Sequence, residues 1–202
     1  MSPQLVLKQN NNSFNSINPP YIKNISKKKY TLILSLEETL INFKFGSMDN
    51  NGISGTLRFR PGVKYFLSEM KKYFELIIFS LYPQKIGDYL IDILEKNEKY
   101  FDFRFFIQHS IINENEFVKD LRRIGRSLDK MIIVDNLPQN YKLNKKNGIN
   151  IKSYWEEDSN DVALEELSKI LINIVQEGGD LRDGIEKYRN DIIGKVSSKI
   201  DL

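Results

Sequence analysis

Hydrophobic and polar positions follow two different periods along this chain. Four short apolar runs, Thr31 to Leu34, Leu76 to Phe79, Phe103 to Ile107 and Met131 to Val134, are rich in β-branched and aromatic residues and read as buried strands. Helical periodicity fills the gaps between the first, second and last of them. Over Pro61 to Tyr73, the residues Val63, Phe66, Leu67 and Met70 recur at three- and four-residue steps behind a proline suited to a first helical turn. Gln84 to Lys96 repeats the pattern with Ile86, Leu90, Ile93 and Leu94. Strands alternating with helices predict βαβ units, and so an α/β fold with a mostly parallel central sheet covered on both faces.

Further along, Leu164, Leu167, Leu171, Ile174 and Val175 form one apolar stripe that stops at Gly178-Gly179. Leu181 to Val196 restarts as a more charged helix with Ile185, Tyr188, Ile192 and Val196 in register. Its stripe is narrow, which predicts outward packing on a partner. At the other end, Asn-rich residues 9–18, Pro19-Pro20 and Lys27-Lys28-Lys29 precede the first apolar run. The chain therefore divides into an extended or disordered basic leader (1–27), a folded domain (28–178) and a C-terminal helical extension (179–202).

Composition narrows the chemistry. The 202 residues, 41% of them hydrophobic, suffice for one domain with a sizeable core. A balance of 30 basic against 27 acidic residues is too even to indicate nucleic acid as a partner. With no cysteine and the single His109, thiol nucleophiles, disulfides and Cys or His metal clusters are out, so any metal would be hard and oxygen-liganded. No apolar run approaches the roughly 20 residues that cross a bilayer, and no transmembrane segment is expected. Residues 1–36 lack Asp and Glu and are rich in Asn, Ser and Lys, partly like an organelle import signal, though Arg is absent and prolines oppose an amphipathic helix. On that ground a mitochondrial location is slightly favoured over cytoplasm or a cytoskeletal assembly.

In open parallel sheets ligands bind beyond the carboxyl ends of the strands. The residues there are Ser35-Leu36-Glu37-Glu38-Thr39 after the first run, Ser80 after the second and Asp135-Asn136 after the last, with Lys119 shortly before it. Carboxylates, hydroxyls and an ammonium converging on one rim are the inventory of a phosphate and Mg²⁺ site.

Those residues carry a resemblance. Val118 to Lys130 running into Met131-Ile132-Ile133-Val134-Asp135-Asn136, together with Arg60-Pro61-Gly62-Val63 and Ser153-Tyr154-Trp155, resembles the haloacid-dehalogenase superfamily. Within it, the match is to the homology domain shared by the small C-terminal-domain phosphatases, the nuclear-envelope phosphatases and the mitochondrial presequence-translocase receptor, over about residues 28–190. The resemblance implies a Rossmann-like three-layer sandwich with a small β insert near Phe101 to Phe117 and C-terminal helices. It also makes the polar, Gly-rich stretch from Asn42 to Phe59 a short flap over the site.

The same resemblance implies an Asp-x-Asp-x-Thr motif after the first strand, its first Asp attacking phosphorus and its second serving as acid and base. Here Ser35 stands at the nucleophile position and Glu37 at the acid/base position, with one extra methylene. Thr39, Ser80 and Lys119 remain as phosphate-binding positions, and Asp135 and Asn136 as a vestigial metal site. Losing a nucleophile from a cooperating set costs about 10⁴ to 10⁶ in rate. The expectation is therefore a pseudophosphatase and no enzyme, with no cofactor beyond weakly held Mg²⁺, acting as a structural or interaction subunit with protein partners in a larger complex. Residual Mg²⁺-dependent protein phosphatase activity and phosphopeptide binding are the alternatives.

Overall fold

The structure, a computed structural model, describes residues 17–49, 52–155, 158 and 160–197. In chain order its elements are β1 (Tyr30–Leu34), β2 (Ile41–Asp49), β3 (Gly52–Phe59), α1 (Val63–Tyr73), β4 (Phe74–Phe79), α2 (Gln84–Leu94), β5 (Phe103–Phe105), β6 (Ile111–Asn113), β7 (Glu116–Val118), β8 (Met131–Asp135), β9 (Gly148–Asn150), α3 (Ala163–Glu177), α4 (Leu181–Lys187) and α5 (Arg189–Lys195). Five strands form the central sheet in the order β5-β4-β1-β8-β9, and every neighbouring pair is parallel. The expected α/β architecture is present.

The two-residue period of the strands sorts their side chains between two cores. Leu32, Leu34, Leu76, Ile78, Ile132 and Val134 face one side, where the five described helices lie, α1 through Phe66, Leu67 and Met70 and α3 through Leu164, Leu167 and Leu171. Ile33, Ile77, Phe79, Met131 and Ile133 face the other. There the covering layer differs from the helices expected: it is built from 3₁₀ turns at Leu121–Arg123, Leu128–Lys130 and Pro138–Asn147, with Ile22 from the preceding segment. Right-handed crossovers explain the division. Steps β1→β4→β5 move one way and lay α1 and α2 on one face, while β5→β8→β9 moves back and lays its connections on the opposite face.

Other sequence readings need adjustment. The flap is an antiparallel hairpin, β2 with β3, whose register shifts between Phe45 and Met48, and the small insert is the hairpin β6–β7. The extension after Gly179 does not pack outward. Leu181, Ile185, Ile192 and Val196 are buried in the helix-side core, and the single helix expected there breaks into α4 and α5 at Tyr188. Part of the basic leader is docked: Tyr21 N and Ile22 N donate to Arg123 O and Ile124 O, both at 2.9 Å. Gly125 permits this approach, because a Cβ there would lie 2.2 Å from Ile22 O and its φ of +94° is open to glycine. The rest of the leader, residues 1–16, lies outside the described residues. Among the described residues no helix is long and apolar enough to cross a membrane.

Candidate active site

Strands β1, β4 and β8 end side by side at the sheet centre, so the residues that follow them meet at one rim. Every position proposed from the sequence lies there. Ser35 extends β1, its N–H donating to Val134 O at 2.9 Å. Lys119 follows β7 and points its ammonium inward: Nζ donates to Ser35 Oγ at 2.9 Å and to Asp135 Oδ2 at 2.6 Å, with the Phe79 ring 5.7 Å away. Lys119 and Asp135 are fully buried and Ser35 nearly so.

Glu37 is only partly buried. Its Oε1 accepts hydrogen bonds from Ser80 Oγ and, at 2.8 Å, from Tyr82 N, which leaves Oε2 for proton transfer. Thr39 does not bond to these groups. It is buried beneath the loop, where Oγ1 donates to Asn136 Oδ1 at 3.4 Å. Asn136 Nδ2 donates to Glu38 Oε2 at 3.1 Å and to Ser153 Oγ at 3.0 Å. The loop that presents Glu37 turns through Glu38, whose φ of 52° lies in the left-handed region, and Tyr154 N holds it by donating to Glu38 O at 2.7 Å.

The electrostatics follow from this crowding. Burial raises the Glu38 carboxyl above its usual range, Glu37's charge adds to the rise and the Ser153 hydrogen bond opposes it. Burial, then the charges of Glu37 and Glu38, push the Tyr82 phenol well up, so it stays neutral.

The family resemblance implies Mg²⁺, and the oxygens present can be tested for it. Asp135 Oδ1 already accepts from Leu137 N and Asn140 Nδ2, both at 2.9 Å, and Oδ2 from Lys119 at 2.6 Å and Asn140 Nδ2 at 3.2 Å. Asn136 Oδ1 takes Thr39, and Ser35 offers a neutral oxygen already bonded to Lys119. Among the described residues no group of three His, Cys, Asp or Glu is placed to hold a metal. A hard dication needs several open oxygens. As arranged, these residues do not fit one.

Comparison with known proteins fits the same fold. The family model described as NLI interacting factor-like phosphatase matches residues 30–182. The chain belongs to this family. Its match is 34% identical over 180 residues to the "CTD small phosphatase-like protein 3" of Caenorhabditis elegans, covering 83% of this chain and 62% of that protein. It is 34% identical over 178 residues to "Nuclear envelope morphology protein 1" of Schizosaccharomyces pombe, covering 82% and 37%. The human "CTD small phosphatase-like protein" matches at 31% over 159 residues, 73% and 57%. The chain thus spans between about a third and two thirds of these relatives' lengths. Among solved structures, "The Structure of Fcp1, an essential RNA polymerase II CTD phosphatase" superposes with a TM-score of 0.54 at 17% identity, over 86% of this chain and 58% of that one, which shows the shared fold.

Membership corrects one expectation. The chain was expected not to be an enzyme, yet relatives near one third identical are named as phosphatases, and the family is one of enzymes. That expectation rests on the changes at Ser35 and Glu37.

The sequence reading missed three contributors to this site. Asn140 bonds both oxygens of Asp135, Tyr82 acts through its backbone N–H, and Arg60 reaches the motif loop by donating Nη1 to Thr39 O at 3.1 Å. Arg60 was visible only as part of the family signature; Asn140 and Tyr82 carry no local signal.

Proposed function

We propose that this domain hydrolyses phosphomonoesters on polypeptide side chains, using Glu37 to deliver water in place of an aspartyl-phosphate step. The observation that carries this reading is the Glu37 carboxylate, anchored through Oε1 by Ser80 and Tyr82 on the partly exposed part of the rim at whose base Lys119 is buried. A water oxygen attacks phosphorus as the ester P–O bond breaks. The water proton passes to Glu37, which returns it to the departing alkoxide, giving the free hydroxyl and inorganic phosphate. Lys119 offers charge to the phosphoryl oxygens. Without a covalent step the rate falls by about 10⁴- to 10⁶-fold against a relative bearing a carboxylate at position 35.

The interaction role expected from the sequence enters here as substrate docking. Leu137 directly follows Asn136, Trp155 follows Tyr154, and Phe45 and Met48 lie on the β2–β3 hairpin; all four are exposed. Together they offer apolar surface to the polypeptide flanking a phosphorylated residue. With a phosphoserine peptide as substrate, Glu37→Gln is expected to lower turnover about 100-fold. Equal turnover in the two proteins ends this reading.

A further inference from the structure

We propose that phosphate binding at this site is independent of divalent cations, the sealed Lys119 ammonium taking over their charge. The inference rests on the reading of the rim as a phosphate site and adds what holds the anion there. Three observations support it.

Charge comes first. With a neutral hydroxyl at Ser35, the floor carries one cation, Lys119, against one carboxylate, Asp135, and the two meet at 2.6 Å with side chains 0% exposed. A second carboxylate at position 35 would leave the floor negative and repel phosphate until a cation entered. Ser35 removes that charge from the floor, leaving the carboxylates of Glu37 and Glu38 at the partly exposed side.

Oxygen supply comes second. Each Asp135 oxygen accepts two hydrogen bonds from the protein, and Asn136 Oδ1 accepts one from Thr39. A dication would have to expel Lys119 or Asn140 from Asp135, and Mg²⁺, which dehydrates reluctantly and wants octahedral oxygen, gains too little from one shared carboxylate.

Donor supply comes third. The Lys119 ammonium has three N–H groups and spends two, on Ser35 Oγ and Asp135 Oδ2. Ser35 Oγ accepts from Lys119, so its own O–H remains to donate. One ammonium N–H and one hydroxyl, side by side, match two oxygens of a phosphate. The partly exposed members of the group are Glu37 and Glu38, so the anion enters from their side.

The test uses the full chain and two probes. Inorganic phosphate is titrated by calorimetry in EDTA and in excess Mg²⁺, and Mn²⁺ is titrated while its free-ion spin-resonance signal is followed. Dissociation constants for phosphate within about twofold of each other, with no loss of free Mn²⁺ signal, are expected. Phosphate binding at least about tenfold tighter with Mg²⁺, or Mn²⁺ bound by the wild-type chain, overturns the inference while leaving the phosphate reading in place. No phosphate binding in either buffer overturns that reading and the inference with it. Ser35→Asp supplies the converse, since it is expected to acquire Mn²⁺ binding and to make phosphate binding depend on it.

Discussion

Among the described residues two ion pairs are sealed from water, and they do different work. Arg60 and Asp161 meet at 2.8 Å with side chains 0% and 1% exposed; Lys119 and Asp135 meet at 2.6 Å with both at 0%. Arg60 spends four hydrogen bonds on three chain segments, two on Asp161 and one each on Thr39 O and Lys152 O. It ties the motif loop, the segment after β9 and the approach to α3 into one piece. Lys119 bonds only to residues of the rim and keeps a donor in hand. Each cation keeps one N–H uncommitted, so what separates them is where their partners sit: Arg60 joins distant chain segments as a staple, whereas the partners of Lys119 all belong to the rim, which places it as a receptor. Neither burial nor the number of spare donors separates the two; the place of their partners does.

Breaking the staple should have the largest effect. Arg60→Met leaves Asp161 charged and unpaired in the interior and is expected to cost about 3–5 kcal/mol, read from urea unfolding. Lys119→Met should cost less, about 2–3 kcal/mol, because Asn140 and the Leu137 N–H still hold Asp135. It should also abolish phosphate binding. The double change Lys119→Met with Asp135→Leu sharpens the contrast: stability is expected to recover to within about 1 kcal/mol of wild type while phosphate binding stays absent. If the double variant binds phosphate, Lys119 is no receptor. Ser80→Ala, which frees one anchor of Glu37, should cost about 1 kcal/mol or less in stability and about tenfold in turnover.

The smallest effect is one of pH. Burial by itself raises the Asp161 carboxyl, but the hydrogen bond and charge of Arg60, with Ala163 N–H and Lys152, outweigh it and hold the group below the usual carboxylate range. Its contribution is therefore fully present above the ordinary value of about 4 and is lost as pH falls through the lower folded value. The difference in unfolding free energy between wild type and Arg60→Met should be flat through neutral pH and shrink below about pH 4. An equal decline in both proteins places the acid sensitivity elsewhere.

The sequence made the rim legible and left its supports dark, for a physical reason. Ser35, Ser80 and Asp135 follow runs of buried β-branched and aromatic residues, and a strand's end locates whatever comes next. Short strands with polar neighbours send no such signal. β9 is three residues, Gly-Ile-Asn, after a polar stretch, and only its pairing with β8 makes it a strand. Helix ends set by distant or irregular bonds were also hidden. The pattern carries α2 to Lys96, but the Glu95 carboxylate turns back to accept from Tyr100 N at 2.6 Å and Phe101 N at 2.9 Å, and the helix stops at Leu94. Asp161 and Arg60 are 101 residues apart, beyond any local periodicity.

The place of β1 in the sheet bears on how the chain acquires this shape during synthesis. One edge of β1 is covered by β4, some forty residues later, but the other waits for Met131–Asp135, about a hundred residues on. Until that stretch has left the ribosome, a strand buried along its whole length in the finished fold keeps one row of amide and carbonyl groups open to any passing β-rich segment. Such long-range pairing predicts slow folding and dependence on chaperones, and a chain interrupted before Met131 should aggregate instead of forming a smaller version of the same sheet.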